Sequence, residues 1–194
     1  MTPKKSKLKN GQIVTIRHAE RTDAGHIIKY VNKVAGETNY LTFAADELGI
    51  SVEEEEKFIE GHLNSDNKLF IIAEINGIIV GTLGFTGGEQ SRIRHRGEFG
   101  VSVLKEYWGL GIGAKLVETL IEWAKSSGVI KKINLIVRSD DTRAIELYKH
   151  LGFCQEGLIS REHLIGGRFY DSLFMGLQLD EPGEKNQKTS KKNE

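Results

Sequence analysis

The chain contains a single cysteine, and no apolar run in it nears the length of about 18 residues that a membrane-spanning helix needs. Cys154 alone cannot build an internal disulfide framework. The six histidines lie too far apart in sequence to form a metal-ligand motif, so no metal is expected. An excess of charge of either sign is missing as well. The 27 basic and 27 acidic side chains cancel, leaving no global field to attract nucleic acid or an anionic membrane. The opening "MTPKKSKLKN" lacks the apolar segment of an export signal. Together these absences point to a cytoplasmic protein with no membrane and no nucleic-acid partner. A nucleic-acid reading would rest on the N-terminal lysines and "RIRHR" (92–96) alone.

What is present suffices for one domain. The 194 residues are 39% hydrophobic, enough for a single substantial core. Residues 1–11 carry four lysines and no apolar cluster, and 180–194 mixes charges with Pro, Gly and Ser; both ends read as solvated tails around a domain at 12–179. Inside it the hydrophobic period alternates between 2 and 3.6, the mark of a mixed α/β domain. "QIVTIRHA" reads as a strand, and Asp23 to Val34 as a helix with Ile27, Val31 and Val34 on one face. "SVEEEEKFIEGHL" offers Ser51 as N-cap with Glu54 three residues on, a capping box; its glutamates serve the positive end of the helix or, alternatively, form an acidic surface for a cationic substrate. "KLFIIAEI" and "IIVGTLGF" flank Asn76-Gly77, a tight hairpin signal. "EFGVSVL" is the next strand, followed by a helix with Ile112, Leu116, Leu120 and Ala124 on one face and its end at Gly128. Then come the strand "KINLIV", the helix "TRAIELYKHLG", and strands near 153–164 and 168–179 that turn at Gly166-Gly167.

Between strand and helix stands "YWGLGIGAKL" (107–116), three glycines in five positions. Glycines there let the backbone approach a ligand closely, and the unpaired N–H groups of a helix start favour negative charge. The geometry suits a phosphate or pyrophosphate, although a glycine-rich turn also arises where a helix packs tightly on a sheet. A Walker A loop is excluded because Gly113-Ala114-Lys115-Leu116 lacks the hydroxyl after lysine. Gly109-x-Gly111-x-x-Ala114 fits a dinucleotide fingerprint in spacing, but it sits past mid-chain after a hairpin, with one further strand–helix unit behind it.

The segment from Phe99 to Phe153 resembles the GNAT superfamily of acyl-CoA-dependent N-acyltransferases. Trp108-Gly109-Leu110-Gly111-Ile112-Gly113, running into Ala114, matches the pyrophosphate loop Gln/Arg-x-x-Gly-x-Gly/Ala, with Trp108 in place of the usual first residue. "DTRAIELYKHLGF" looks like the Asn-x-x-Ala-x-x-x-Tyr-x-x-x-Gly-Phe segment, with Asp141 at the asparagine; Asp can accept a hydrogen bond there but, ionised, cannot donate. "ETNYLTF" and "GEFGVSV" look most like phosphinothricin-type and ribosomal-protein-type members. The resemblance implies a mixed, mostly antiparallel sheet of about six or seven strands flanked by about four helices. It also implies fourth and fifth strands splayed apart to admit the pantetheine arm of acetyl-CoA. "FGVSV" would be the fourth, with backbone groups of Val101 and Val103 meeting the pantetheine amides, and "INLIV" the fifth.

For acetyl transfer the resemblance implies Tyr148 as the acid that protonates the departing thiolate, beside the cofactor; the alternative is an aromatic on the buried face of its helix. Glu98 is similar to the glutamate that some members use to take the ammonium proton, or else it is paired with the basic run 92–96. That run could itself bind an acidic acceptor or be a solvated hairpin, and Cys154 is expected in the core. The reading is an acetyl-CoA-dependent N-acetyltransferase acting on a small-molecule amine or a peptide N-terminus in a ternary complex. A non-catalytic acyl-CoA-binding regulatory module is the alternative, and a homodimer is left open.

Overall fold

In the computed structural model, which describes residues 1–179, the first strand lies where the sequence suggests a tail. β1 (Lys4–Lys7) pairs antiparallel with β2 (Ile13–His18), Lys4 opposite Ile16. The segment carries no apolar period because its attachment is made by backbone hydrogen bonds along a sheet edge. Leu8 follows into the core, 4% exposed, and Lys4 pairs with Glu122. The expectation of a tail at 180–194 lies outside the described residues.

The remaining elements form where local chemistry places them. α1 (Ala24–Glu37) buries Ile27, Tyr30 and Val34. α2 (Val52–Leu63) starts at the expected capping box: Glu54 N donates to Ser51 Oγ at 3.2 Å and Ser51 N to Glu54 Oε2 at 2.8 Å. β3 (Lys68–Ile75) and β4 (Ile78–Gly87) meet at Asn76 and Gly77, both in the left-handed region at φ 51° and 78°. β5 (Arg96–Val103) leads into α3 (Ile112–Ser127), which stops at Gly128 with φ 68°. β6 (Lys132–Arg138), α4 (Thr142–His150), β7 (Cys154–Ile165) and β8 (Arg168–Gln178) complete the order.

Among the described residues these strands form one sheet in the order β1-β2-β3-β4-β5-β6-β8-β7, eight strands rather than six or seven because β1 joins its edge. Every neighbouring pair is antiparallel except β5 and β6, whose parallel register covers only Arg96–Glu98 against Lys132–Asn134. α3 and α4 cover one face, where Ile112, Leu116 and Leu120 pack with Leu83, Phe85 and Ile133. α1 and α2 cover the other, with Ile27, Val34 and Ile59 against Phe70, Ile72 and Ile79. Cys154 is exposed rather than in the core: Phe153 points inward at 2% exposure, and strand alternation turns the next residue out.

The end of β2 is tied to the start of α1. Arg17 Nη1 and Nη2 donate to Asp23 Oδ2 and Oδ1 at 2.7 and 2.9 Å, and Glu20 N donates to the same carboxylate at 2.8 Å. Burial pushes the Asp23 carboxyl up, but the Arg17 and Glu20 bonds outweigh it and hold the group below its ordinary value. A lowered folded-state value gives stability that is present above the unfolded pKa of about 3.9 and is lost as pH falls through the folded one. Asp23→Asn should therefore cost about 2 kcal/mol at pH 7 in urea unfolding, with the difference from the parent shrinking once the pH drops below about 4. Equal stability of the two proteins at pH 7 would remove this pair from the forces that place α1.

Candidate active site

Past Glu98 and Asn134 the register between β5 and β6 ends, and a cleft of about 710 Å³ occupies the gap. Leu104 N donates to Val80 O at 3.0 Å, which turns the N–H of Leu104 toward β4, while its carbonyl accepts from Tyr107 N at 2.9 Å. Successive residues of a strand turn theirs to opposite edges, so Val101 and Val103 offer N–H and C=O to the cleft. Trp108 comes back across this edge: its Nε1 donates to Val103 O at 2.7 Å, and the Arg143 guanidinium lies 5.1 Å from its ring centre. The indole thus closes the strand end by occupying one lone pair of the Val103 carbonyl.

The N-terminus of α3 points into the same cleft. Gly109 and Gly111 sit at φ 81° and 89°, and a Cβ at either would meet nothing within 4 Å, so the backbone angle rather than crowding requires glycine. Lys115 N donates to Gly111 O as the first helical bond, which leaves the N–H groups of Ile112, Gly113 and Ala114 without intrahelical acceptors. The first turn holds no acid, so the free N–H groups and the helix dipole there favour negative charge. Trp108, Gly109, Gly111, Ile112, Gly113 and Ala114 line the cleft, whereas Leu110 packs against the hydrophobic core instead. Asp141 lines the cleft too, but its Oδ1 accepts from Ala144 N at 3.0 Å as the cap of α4. A cap needs only an acceptor, so Asp serves there as well as Asn.

Tyr148 stands on α4 with its ring edge-on to Phe99 and Phe153, each 5.9 Å between centres, and it lines the cleft while only 8% exposed. Burial, with the Asp141 charge adding to it, raises its phenol well above the ordinary value. Glu98 is placed differently. It stands at the vertex where the strands part, beside Asn134 and outside the cleft lining, and no ion pair joins it to the 92–96 run among the described residues. Strand alternation sets it on the α1/α2 side with Ser102, whereas Phe99 meets Tyr148 on the α3/α4 side. Partial burial and the Glu162 charge raise its carboxyl above the ordinary value. Asn134 Oδ1, buried at the same vertex, has no hydrogen-bond partner among the described residues.

Two features escape a reading of the sequence. Tyr30 Oη and Ser102 Oγ are 2.9 Å apart and Ser102 Oγ and Thr82 Oγ1 3.3 Å, a polar line crossing an apolar wall. The lone hydroxyl residues inside "FGVSV" and "VGTLGF" were its only signal. The second is Arg138. Its guanidinium lies 3.9 Å from the Tyr170 ring centre and 4.8 Å from that of Tyr40. It donates to Asn39 O at 2.7 Å and, through Nε and Nη2, to both oxygens of Asp140 at 3.0 and 2.6 Å. One side chain thereby ties Asn39 and Tyr40, at the start of the 38–51 segment, to the end of β6.

Residues 38–153 match the sequence profile described as the acetyltransferase (GNAT) family. An N-alpha-acetyltransferase from Sulfurisphaera tokodaii is 30% identical over 179 residues, covering 88% of this chain and 96% of the relative. Among solved structures, the acetyltransferase of the GNAT family from Streptococcus pneumoniae is 33% identical with a TM-score of 0.83, over 86% of this chain and 99% of that one. A Salmonella typhimurium structure that holds acetyl-CoA as its cofactor shares the fold, with a TM-score of 0.76 at 24% identity over 90% and 98% of the two chains.

If Arg138 is what holds the 38–51 segment, Arg138→Ala should speed amide hydrogen exchange at 39–43 by about tenfold or more, in line with the loss of about 1.4 kcal/mol of local stability. Exchange unchanged in those residues would mean that other contacts seat the segment.

Proposed function

The chain belongs to the GNAT acetyltransferase family, and from that premise we propose that it moves an acetyl group from acetyl-CoA to a primary amine by direct attack in a ternary complex. The acceptor is a small-molecule amine or a peptide N-terminus. The observation that carries this reading is the pair of unshared strand edges at β5 and β6 opening directly onto the N-terminus of α3. An extended amide chain fits the first and a pyrophosphate the second, and in acetyl-CoA the two are covalently joined.

Acetyl-CoA supplies an activated thioester whose carbonyl carbon the amine attacks as the sulfur leaves. The protein's part is positioning, polarisation and proton movement. Val101 and Val103 would hold the pantetheine amides in extended form, with Val103 more available through its N–H because Trp108 already occupies its carbonyl. The free N–H groups from Ile112 to Ala114 would bind the pyrophosphate. Orientation of two bound reactants can itself lower a barrier by about 7–11 kcal/mol. Tyr148 Oη, with a raised pKa, keeps its proton at neutral pH and can give it to the departing sulfur on the α3/α4 side. Glu98 would take the ammonium proton from the opposite side of the sheet, directly or through a water held by the unpartnered Asn134 Oδ1. Acid and base on opposite sides suit a transfer in which the amine arrives from one side and the thiolate departs to the other.

Acetyl-CoA at 100 times its dissociation constant should stabilise the protein by about 2.7 kcal/mol in thermal unfolding, with NAD giving much less. Gly111→Val should lose this shift, since a β-branched residue at φ 89° strains the loop and its methyls fill the pyrophosphate's place. Stabilisation retained in that variant would move the pyrophosphate elsewhere.

Tyr148→Phe should lower kcat by about 10–10³-fold with cofactor affinity nearly unchanged, as measured by thiol release. Glu98→Gln should lose most of its kcat/KM below the amine's pKa and recover as the pH rises, because a free amine needs no base. A profile parallel to the parent from about pH 6 to 10 would exclude Glu98 as the base. Cofactor binding without turnover over a broad amine panel would favour a regulatory binding module.

A further inference from the structure

The four consecutive glutamates at the start of α2 do not share one environment. Glu54 closes the capping box with Ser51, Glu56 pairs with Arg21 at 2.7 Å, and Glu53 stands in solvent. Glu55 turns inward and is 7% exposed. No hydrogen bond or ion pair reaches its carboxyl among the described residues, and burial alone pushes that group above its ordinary value.

Glu55 lines a second, open cavity of about 280 Å³, bounded by α1, the 38–51 segment, α2, β3 and β4. Ile27, Val31, Phe43, Phe58 and Phe70 make much of its wall, and among the described residues no Lys, Arg or His lines it. The other ionisable group there is Asp46, exposed and at φ 61°. An unpaired carboxylate among apolar side chains is costly, and a cation that enters and bonds to it removes that cost. The cavity adjoins the cleft between β5 and β6, and Val31, Phe43 and Thr82 line both.

We propose that this cavity receives a second, cationic nitrogen of the acceptor, with Glu55 as its counter-ion and Asp46 at its mouth, so that the acceptor is a diamine or an amine with a cationic side group. The inference rests on the acetyl-transfer reading and narrows its substrate class. The apolar walls fit the methylene chain between the two nitrogens, which would cross from the cleft to Glu55 beside Val31, Phe43 and Thr82.

The test compares 1,4-diaminobutane with pentylamine, two acceptors of nearly equal size that differ by one charged nitrogen. The parent protein should prefer the diamine in kcat/KM by about 10–100-fold, mainly through KM. Glu55→Gln should bring the ratio to within about twofold of unity, and Glu55→Asp should keep part of it. A parent protein that acetylates both amines equally overturns the inference while leaving the acetyl-transfer reading intact, and this holds even if the variants fail to fold. A preference unchanged in Glu55→Gln overturns it too. Calorimetric binding of the diamine that depends on Glu55, without acetylation of either amine, would uphold the cavity's role and reject the acetyl-transfer reading.

Discussion

The structure turns on the point where two parallel strands stop pairing. Buried backbone N–H and C=O groups must find partners, and a sheet normally supplies them. Between β5 and β6 that supply ends at Glu98 and Asn134, although both strands continue, to Val103 and Arg138. The protein leaves two strand edges facing one another with room for another extended chain between them. Trp108 satisfies one of these groups and the rest face the cleft.

The surrounding elements follow from that opening. β5 reaches α3 through the glycines at 109 and 111, so the helix begins at the open end of the gap and directs its free N–H groups into it. α4 starts beside β6, capped by Asp141, and brings Tyr148 against Phe99 on β5, bridging the gap on one side with aromatic packing. On the other side α1 supplies Tyr30 to Ser102, and Arg138 ties Asn39 and Tyr40 to the end of β6. The same opening is thus walled differently on its two sides: the Tyr148 phenol and the start of α3 on one, the Tyr30–Ser102–Thr82 hydroxyls and the segment after α1 on the other.

The parts of this arrangement that the sequence shows are those specified by residues near each other in the chain. Asn76-Gly77, the Ser51–Glu54 box, the stop at Gly128 and the apolar stripe of α3 each carry their own physical cause within a few residues. The splay itself came only from the resemblance, because a strand that lacks a partner has the same alternation as one that has it. β1 escaped because a short edge strand of lysines is held by its neighbour's backbone, which no side-chain pattern reports. Cys154 was misplaced by its residue type, although alternation from Phe153 points it outward. Arg138 escaped, and Glu55 was not told apart from its neighbours in a glutamate run read as helix chemistry or an acidic surface, for one common reason. The role of each depends on segments distant in sequence: Asn39 and Tyr170 around the arginine, and α1, β3 and β4 around the glutamate.

Whether the parted edges are the binding surface can be read from backbone amides. In a ¹⁵N-labelled sample titrated with acetyl-CoA, the amides of Val101, Val103 and Ile112 to Ala114 should shift more than any others, and those of β3 and β7 should stay near their starting positions. Large shifts confined to another surface, with Val101 and Val103 unmoved at saturation, would contradict the assignment of the gap between β5 and β6 as the acetyl-CoA site.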